Sequence, residues 1–221
     1  MLSDGFVHFV EYELQVIALA WLGILYALKI FQLSRLPMLR EKAPRKGSAG
    51  AGVLRSYSNM LIPWSMESSK KHFWRWVEFG AYHVGAGVAI LNTFTSPFIP
   101  GMMTESVRWI FAILIAPAFL LGIAKFVRRI IQPEMRLVST PDDYFAVVSV
   151  ELFFFSAIMA LILNTPEWRT TYFLITAAFL FYVPFSKISH YIYFFFAAIF
   201  TGSRYGYRGV RPEGRQAQLQ Q

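Results

Sequence analysis

The stretches IALAWLGILYALKIF (residues 17–31) and ELFFFSAIMALIL (residues 151–163) are apolar around every face of a helix. A membrane-crossing helix needs about 20 mostly apolar residues. Working outward from these two runs, five stretches qualify: roughly residues 14–33, 77–99, 109–127, 144–164 and 172–200. Composition agrees. The chain is 56% hydrophobic and 18% aromatic with only 15% charged residues, where soluble domains average about a quarter charged. The expected fold class is an all-α membrane protein, a bundle of five transmembrane helices. Residues 1–203 form one membrane domain and residues 204–221 a basic cytoplasmic tail. No cysteine is present, which excludes disulfides, iron–sulfur ligation and thioether attachment of a cofactor within the chain.

The first stretch is not expected to be a cleavable signal. It is too long, it carries Asp4, Glu11 and Glu13 where a basic leader belongs, and no small-residue cleavage site follows. Orientation follows from the basic residues. Arg35, Arg40, Lys42, Arg45, Lys46, Arg55, Lys70 and Lys71 lie between the first two stretches, and Lys125, Arg128, Arg129 and Arg136 between the third and fourth. Arg204, Arg208, Arg211 and Arg215 lie in the tail; the opposite side has only Arg108 and Arg169. The positive-inside rule puts the N-terminus outside and the C-terminus in the cytoplasm. The net charge of +8 then reports topology and contact with membrane lipid headgroups, not nucleic acid. In the inner loop, residues 34–71, Pro37, the run KAPRKGSAGAG (residues 42–52) and Pro63 argue against a regular element. That loop is either flexible or ordered by a partner subunit.

Two of the four histidines, His83 and His190, fall inside hydrophobic stretches. A ligating side chain in a bilayer is expensive, so it points to function. At 1.5 Å per residue His83 lies about 10–15 Å from the cytoplasmic end of the second helix, and His190 about 15–18 Å from that end of the fifth. Similar depth suggests a bis-histidine metal site, with one b-type haem as its occupant. The competing reading is two hydrogen-bonded core histidines. His8 and His72 sit at helix ends as interfacial side chains. The run Tyr82-His83-Val84-Gly85-Ala86-Gly87 puts Gly85 and Gly87 where a flat macrocycle would approach the backbone, although small residues also serve helix packing. Arg75, Lys187 and Arg128 are candidate partners for haem carboxylates.

The segments AYHVGAGVAILN (residues 81–92) and VPFSKISHYIY (residues 183–193) resemble the gamma, or cytochrome b, subunit of respiratory nitrate reductases. They are equally similar to its relatives in the membrane complexes of sulfate reducers and in heterodisulfide-reductase-like complexes. The tail SRYGYRGVRPE (residues 203–213) is similar to the basic ending of those relatives. The resemblance implies quinol chemistry in the cytoplasmic membrane of a bacterium or archaeon: electrons pass between a membrane quinone and a peripheral cytoplasmic redox subunit through haem. It implies His83 and His190 as ligands of the haem nearer the cytoplasm. Two-haem members carry further histidines at the positions of Thr93 and Tyr172, so the outer haem is expected to be lost.

Quinol oxidation needs a proton acceptor. Glu151, alone in VSVELFFF, is the candidate; the other reading is a protonated acid bonding a neighbouring helix. Glu78, one turn before His83, is a candidate partner for a ligand or for Arg75. Thr140-Pro141-Asp142-Asp143 reads as a helix start. No phosphate loop, zinc spacing or catalytic triad is evident. The leading function is therefore an electron-transfer subunit, incomplete as an enzyme alone. A non-redox membrane anchor or assembly subunit is the alternative. A transporter ranks below both, because the sequence betrays no broken helices or repeats.

Overall fold

A computed structural model describes residues 3–37, 42–62, 64 and 70–210. The described residues are all-helical, with no strand. In chain order the helices are α1 Asp4–Glu11, α2 Glu13–Ser34, α3 Ala49–Leu61, α4 Phe73–Phe98, α5 Glu105–Ile131, α6 Pro133–Val138, α7 Pro141–Leu163, α8 Pro166–Tyr182 and α9 His190–Arg208.

Three helical segments are long and apolar enough to cross a membrane: Asp4–Ser34, Glu105–Ile131 and Pro141–Leu163. A fourth is added if Pro166–Phe185 and Lys187–Arg208 count as one broken span. The stretch expected at 77–99 forms α4, which has the length at 26 residues. It falls short on apolarity, because Arg75, Glu78, His83, Asn92, Thr93, Thr95 and Ser96 interrupt it. The surface is inverted relative to a soluble protein. Ile24, Ile113 and Leu120 are more than 60% exposed, while Gln15, Asn92, Ser156 and Ser189 are buried. Apolar atoms face outward and polar side chains are bonded within, as in a chain solvated by lipid. Gln15 is one example: its amide donates to the carbonyls of Val10 (3.0 Å) and Phe173 (2.8 Å).

The helix starts follow their caps. Thr140 and Asp143 form a reciprocal capping box with Pro141 in the first turn, so the expected start of α7 is where the structure puts it. Thr104 and Thr165 cap α5 and α8. The fifth stretch, expected over 172–200 as one helix with a tolerable kink at Pro184, is broken there by two 3-10 turns, Val183–Phe185 and Lys187–Ser189. Pro184 removes a donor there. The Ser186 and Ser189 hydroxyls then donate to the Val183 carbonyl at 2.9 and 2.7 Å.

Two compact units emerge, residues 1–27 with 78–189, and residues 28–77 with 190–221. The first has its core where Ala89 of α4, Phe111, Ile115 and Ala118 of α5, Phe153, Phe154 and Ala157 of α7, and Tyr172 and Phe173 of α8 pack together. The second is built on α3 against α9. Here the reading of residues 34–71 as irregular is corrected. Ser48 caps α3 through a 3.4 Å bond from the Ala51 N–H, and the small residues that discourage an isolated helix let its backbone touch that of α9. Pro63 lies outside the described residues, as does the tail beyond residue 210. Residues 204–208, placed in the tail by sequence, are the last turns of α9.

Candidate functional site

His83 projects from α4 with its ring exposed. Its Nδ1 lies 2.7 Å from the Phe79 carbonyl oxygen one turn back. A carbonyl only accepts, so Nδ1 carries a proton, and whenever the ring is neutral its lone pair is on Nε2. The Phe79 ring, 4.0 Å away between centroids, lies against the imidazole. The ring is thus oriented with Nδ1 committed to the backbone and Nε2 left over, the arrangement in which an imidazole binds a metal. Gly80 and Gly87, one turn to either side, have nothing within 4 Å of where a Cβ would stand. They leave a flat, open strip on the face that carries His83. Sequence reasoning missed Gly80, although its i−3 spacing from His83 was a usable signal.

Gly85 faces elsewhere. A Cβ there would press on the Ala118 side chain and lie 3.1 Å from the Leu114 carbonyl, so Gly85 serves the packing of α4 on α5. Gly87 is the one of the two expected glycines that borders the His83 face. His190, also exposed, opens α9 in the second unit beside the Tyr191 ring. Arg75 is exposed in the first turn of α4. Lys187, expected to meet a haem carboxylate, is already engaged: its ammonium lies 2.7 Å from Asp143 and 3.0 Å from the Thr140 hydroxyl. It closes the α7 capping box. Arg128 lies 4.0 Å from Glu78, and both are part-exposed.

Glu151 sits halfway along α7. Both carboxyl oxygens are shut off from solvent and find no hydrogen-bond partner among the described residues. Room for them comes from Gly122 of α5, where any side chain would run into the carboxyl group. Beside it runs a groove of about 310 Å³ whose other lining is apolar, including Phe119, Phe126, Leu152 and Phe155. Lys125 interacts electrostatically with Glu151, and its ammonium lies 3.8 Å from the centre of the Tyr82 ring. Tyr82 is the neighbour of His83 in sequence, and packs edge-on against Phe154 of α7. The isolated carboxylate was legible in the sequence. Its pocket partner Gly122 and its cation Lys125 were not.

Thr93 and Tyr172 meet directly, hydroxyl to hydroxyl at 2.8 Å. Each also lies within reach of the Ala89 carbonyl, at 3.2 and 3.1 Å. Tyr172 is 1% exposed and lies between the rings of Phe153 and Phe173. An iron and its macrocycle have no room between these two side chains. Tyr172→Phe should lower stability by about 1 kcal/mol, the usual net worth of a buried hydrogen bond. Thermal unfolding in detergent checks this, and an unchanged midpoint would show that the hydroxyl bond contributes nothing.

Among the described residues no group of three or more His, Asp or Glu side chains could hold a metal ion. A haem iron asks less of the protein, because the porphyrin supplies four of its ligands. The chain matches no family model, and no curated protein or solved structure is similar to it.

Proposed function

We propose that the chain is the membrane electron-transfer subunit of a quinol-linked respiratory complex, a b-type cytochrome with one haem. His83 and, by sequence, His190 would hold its iron. The observation that carries this reading is the 2.7 Å bond that commits His83 Nδ1 to the Phe79 carbonyl and leaves Nε2 for a metal. The open strip at Gly80 and Gly87 offers space for a macrocycle against α4. The direct Thr93–Tyr172 bond favours one haem over two. In this reading α4 also crosses the membrane and the broken pair counts as one span. That gives five spans, with the N-terminus outside and the basic loops facing a peripheral redox subunit in the cytoplasm of a bacterium or archaeon.

When bound, the haem supplies reversible one-electron transfer. The chain's own groups do the rest. His83 and His190 would hold the iron, the Phe79 carbonyl orients the His83 ring, and Arg75 would offer a cation to a haem carboxylate. The apolar groove beside Glu151 accepts a quinol ring, and Glu151 receives a proton from its hydroxyl. The broken segment at residues 183–189 does not suggest an ion-transport site, because serine hydroxyls recapture the Val183 carbonyl.

Pyridine-haemochrome analysis and a dithionite-reduced difference spectrum of the purified chain test the reading. One b haem per chain is expected. Two haems would overturn the one-haem assignment. None in a folded chain would overturn the cytochrome and leave the non-redox anchor.

A further inference from the structure

At the end of the first unit where α4 leads into α5 and α7 into α8, a polar cavity of about 200 Å³ opens. Arg108, one turn into α5, and Arg169, one turn into α8, line it together with Asn92, Ser96, Asn164 and Tyr172. The Arg108 side chain has no hydrogen bond or ion pair among the described residues, and its Nε is sealed from solvent. A buried guanidinium nitrogen without an acceptor is costly, so native structures give it one.

Its neighbours make the deficit larger. Arg169 donates one terminal nitrogen to Glu11 at 2.6 Å. Glu11 is nearly fully buried, and its other oxygen takes no hydrogen bond. Glu105 and Glu167 stand in the first turns of α5 and α8, but among the described residues only Glu11 pairs with either arginine, so Arg108 has no acid in direct contact. The Ser96 hydroxyl donates to Asn92 Oδ1 at 2.9 Å, which turns the NH2 end of Asn92 toward Tyr172. Arg108 and Arg169 reach the cavity from the N-terminal turns of α5 (27 residues) and α8 (17 residues), while Ser96 of α4 and Ala160, Leu161 and Asn164 at the end of α7 line its other side.

We propose that this cavity binds an oxyanion, a tetrahedral phosphate group held by Arg108 and Arg169. Planar guanidinium groups suit that geometry through paired N–H donors. The volume admits one phosphate with its hydration, or the headgroup phosphate of an anionic lipid entering from the bilayer edge. The site does not depend on the haem reading, and no residue of it touches His83.

The test is a thermal-unfolding titration of the full chain in phosphatidylcholine nanodiscs. Inorganic phosphate is added against potassium chloride of matched ionic strength, and in a second arm phosphatidylglycerol replaces part of the lipid. A ligand that binds only the folded state raises the midpoint as it saturates. A saturable rise with inorganic phosphate supports the site with a free anion as ligand. A rise only with phosphatidylglycerol supports it with a lipid headgroup. Arg108→Gln should weaken the apparent affinity by about tenfold or more, the scale of one charged hydrogen bond. Glu11→Gln should tighten it by freeing the charge of Arg169, a gain that misfolding cannot mimic. No rise beyond the chloride control in either arm overturns the proposal. So does a rise that Arg108→Gln leaves unchanged.

Discussion

His83→Ala should empty the purified chain of haem, with the reduced b-type absorbance falling to background while the helical content stays. The argument runs through one nitrogen. Phe79 fixes the Nδ1 proton, so Nε2 is the donor that an alanine removes, and a porphyrin held by a single remaining histidine would be lost or exchange freely. A second variant separates ligand from cradle. Gly87→Leu leaves His83 untouched and should raise helix propensity by about 1 kcal/mol, yet it puts a branched side chain into the open space beside the imidazole. It should lower haem content without lowering stability. Glu151→Gln is the third arm: haem content unchanged, and reduction by a quinol analogue slowed by about 100-fold, the low end for removal of a general base. If His83→Ala keeps an unaltered b spectrum, His83 is not a ligand. If Glu151→Gln reduces as fast as the parent chain, the proton acceptor lies elsewhere.

Much of the fold could be read from composition, because a lipid-facing helix is apolar on all sides and needs no periodicity to announce itself. The stretches expected at 14–33 and 109–127 lie within the helical segments Asp4–Ser34 and Glu105–Ile131, and that at 144–164 matches Pro141–Leu163 to within one residue at its end. Thr140 and Asp143 set the start of α7 by a bond local in sequence, and local chemistry is legible. What failed was chemistry that depends on distant partners. The run at 42–52 reads as a helix breaker, since glycine is about 1 kcal/mol worse than alanine in an isolated helix. It becomes a helix start because Gly202 and Gly206, far along the chain, are small as well. Gly85 and Gly87 look alike in sequence but lie about 200° apart around α4. Only the position of Ala118 tells which one packs and which one borders His83. Pro184 marks a kink in the fifth stretch, but the full break at 183–189 depends on Ser186 and Ser189 turning back to the Val183 carbonyl.

Gly206→Ala and Gly52→Ala should each unfold the α3–α9 pair at lower temperature than the parent chain, although both substitutions favour an isolated helix. The two helices run antiparallel at backbone contact. A Cβ on Gly206 would stand 2.8 Å from the Gly52 Cα, and one on Gly52 would stand 2.6 Å from the Gly206 Cα and 2.7 Å from its nitrogen. These are backbone atoms, which have no rotamer to yield, so the whole helix must move. The start of α3 is also pinned, because the Lys46 and Gly47 N–H groups both donate to the Tyr207 carbonyl at 2.9 and 3.1 Å. Farther along, the Tyr57 hydroxyl donates to the Phe195 carbonyl at 3.0 Å. Separating the helices would stretch all three bonds at once. Overpacking of this kind costs about 1–3 kcal/mol, which outweighs the gain of about 1 kcal/mol from helix propensity. Gly50→Ala is the opposite case two residues before Gly52. Its Cβ would meet only the Ser48 hydroxyl, at 4.0 Å, so the propensity gain stands alone and the pair should be stabilised by about 0.5–1 kcal/mol. Thermal unfolding with limited proteolysis across residues 49–61 reads all three variants. Equal effects at positions 50 and 52 would show that glycine in α3 acts through the unfolded chain and not through contact with α9. A lower midpoint at 52 and 206 beside a higher one at 50 would tie the start of α3 to the last turns of α9 through the close approach of two glycine-lined backbones.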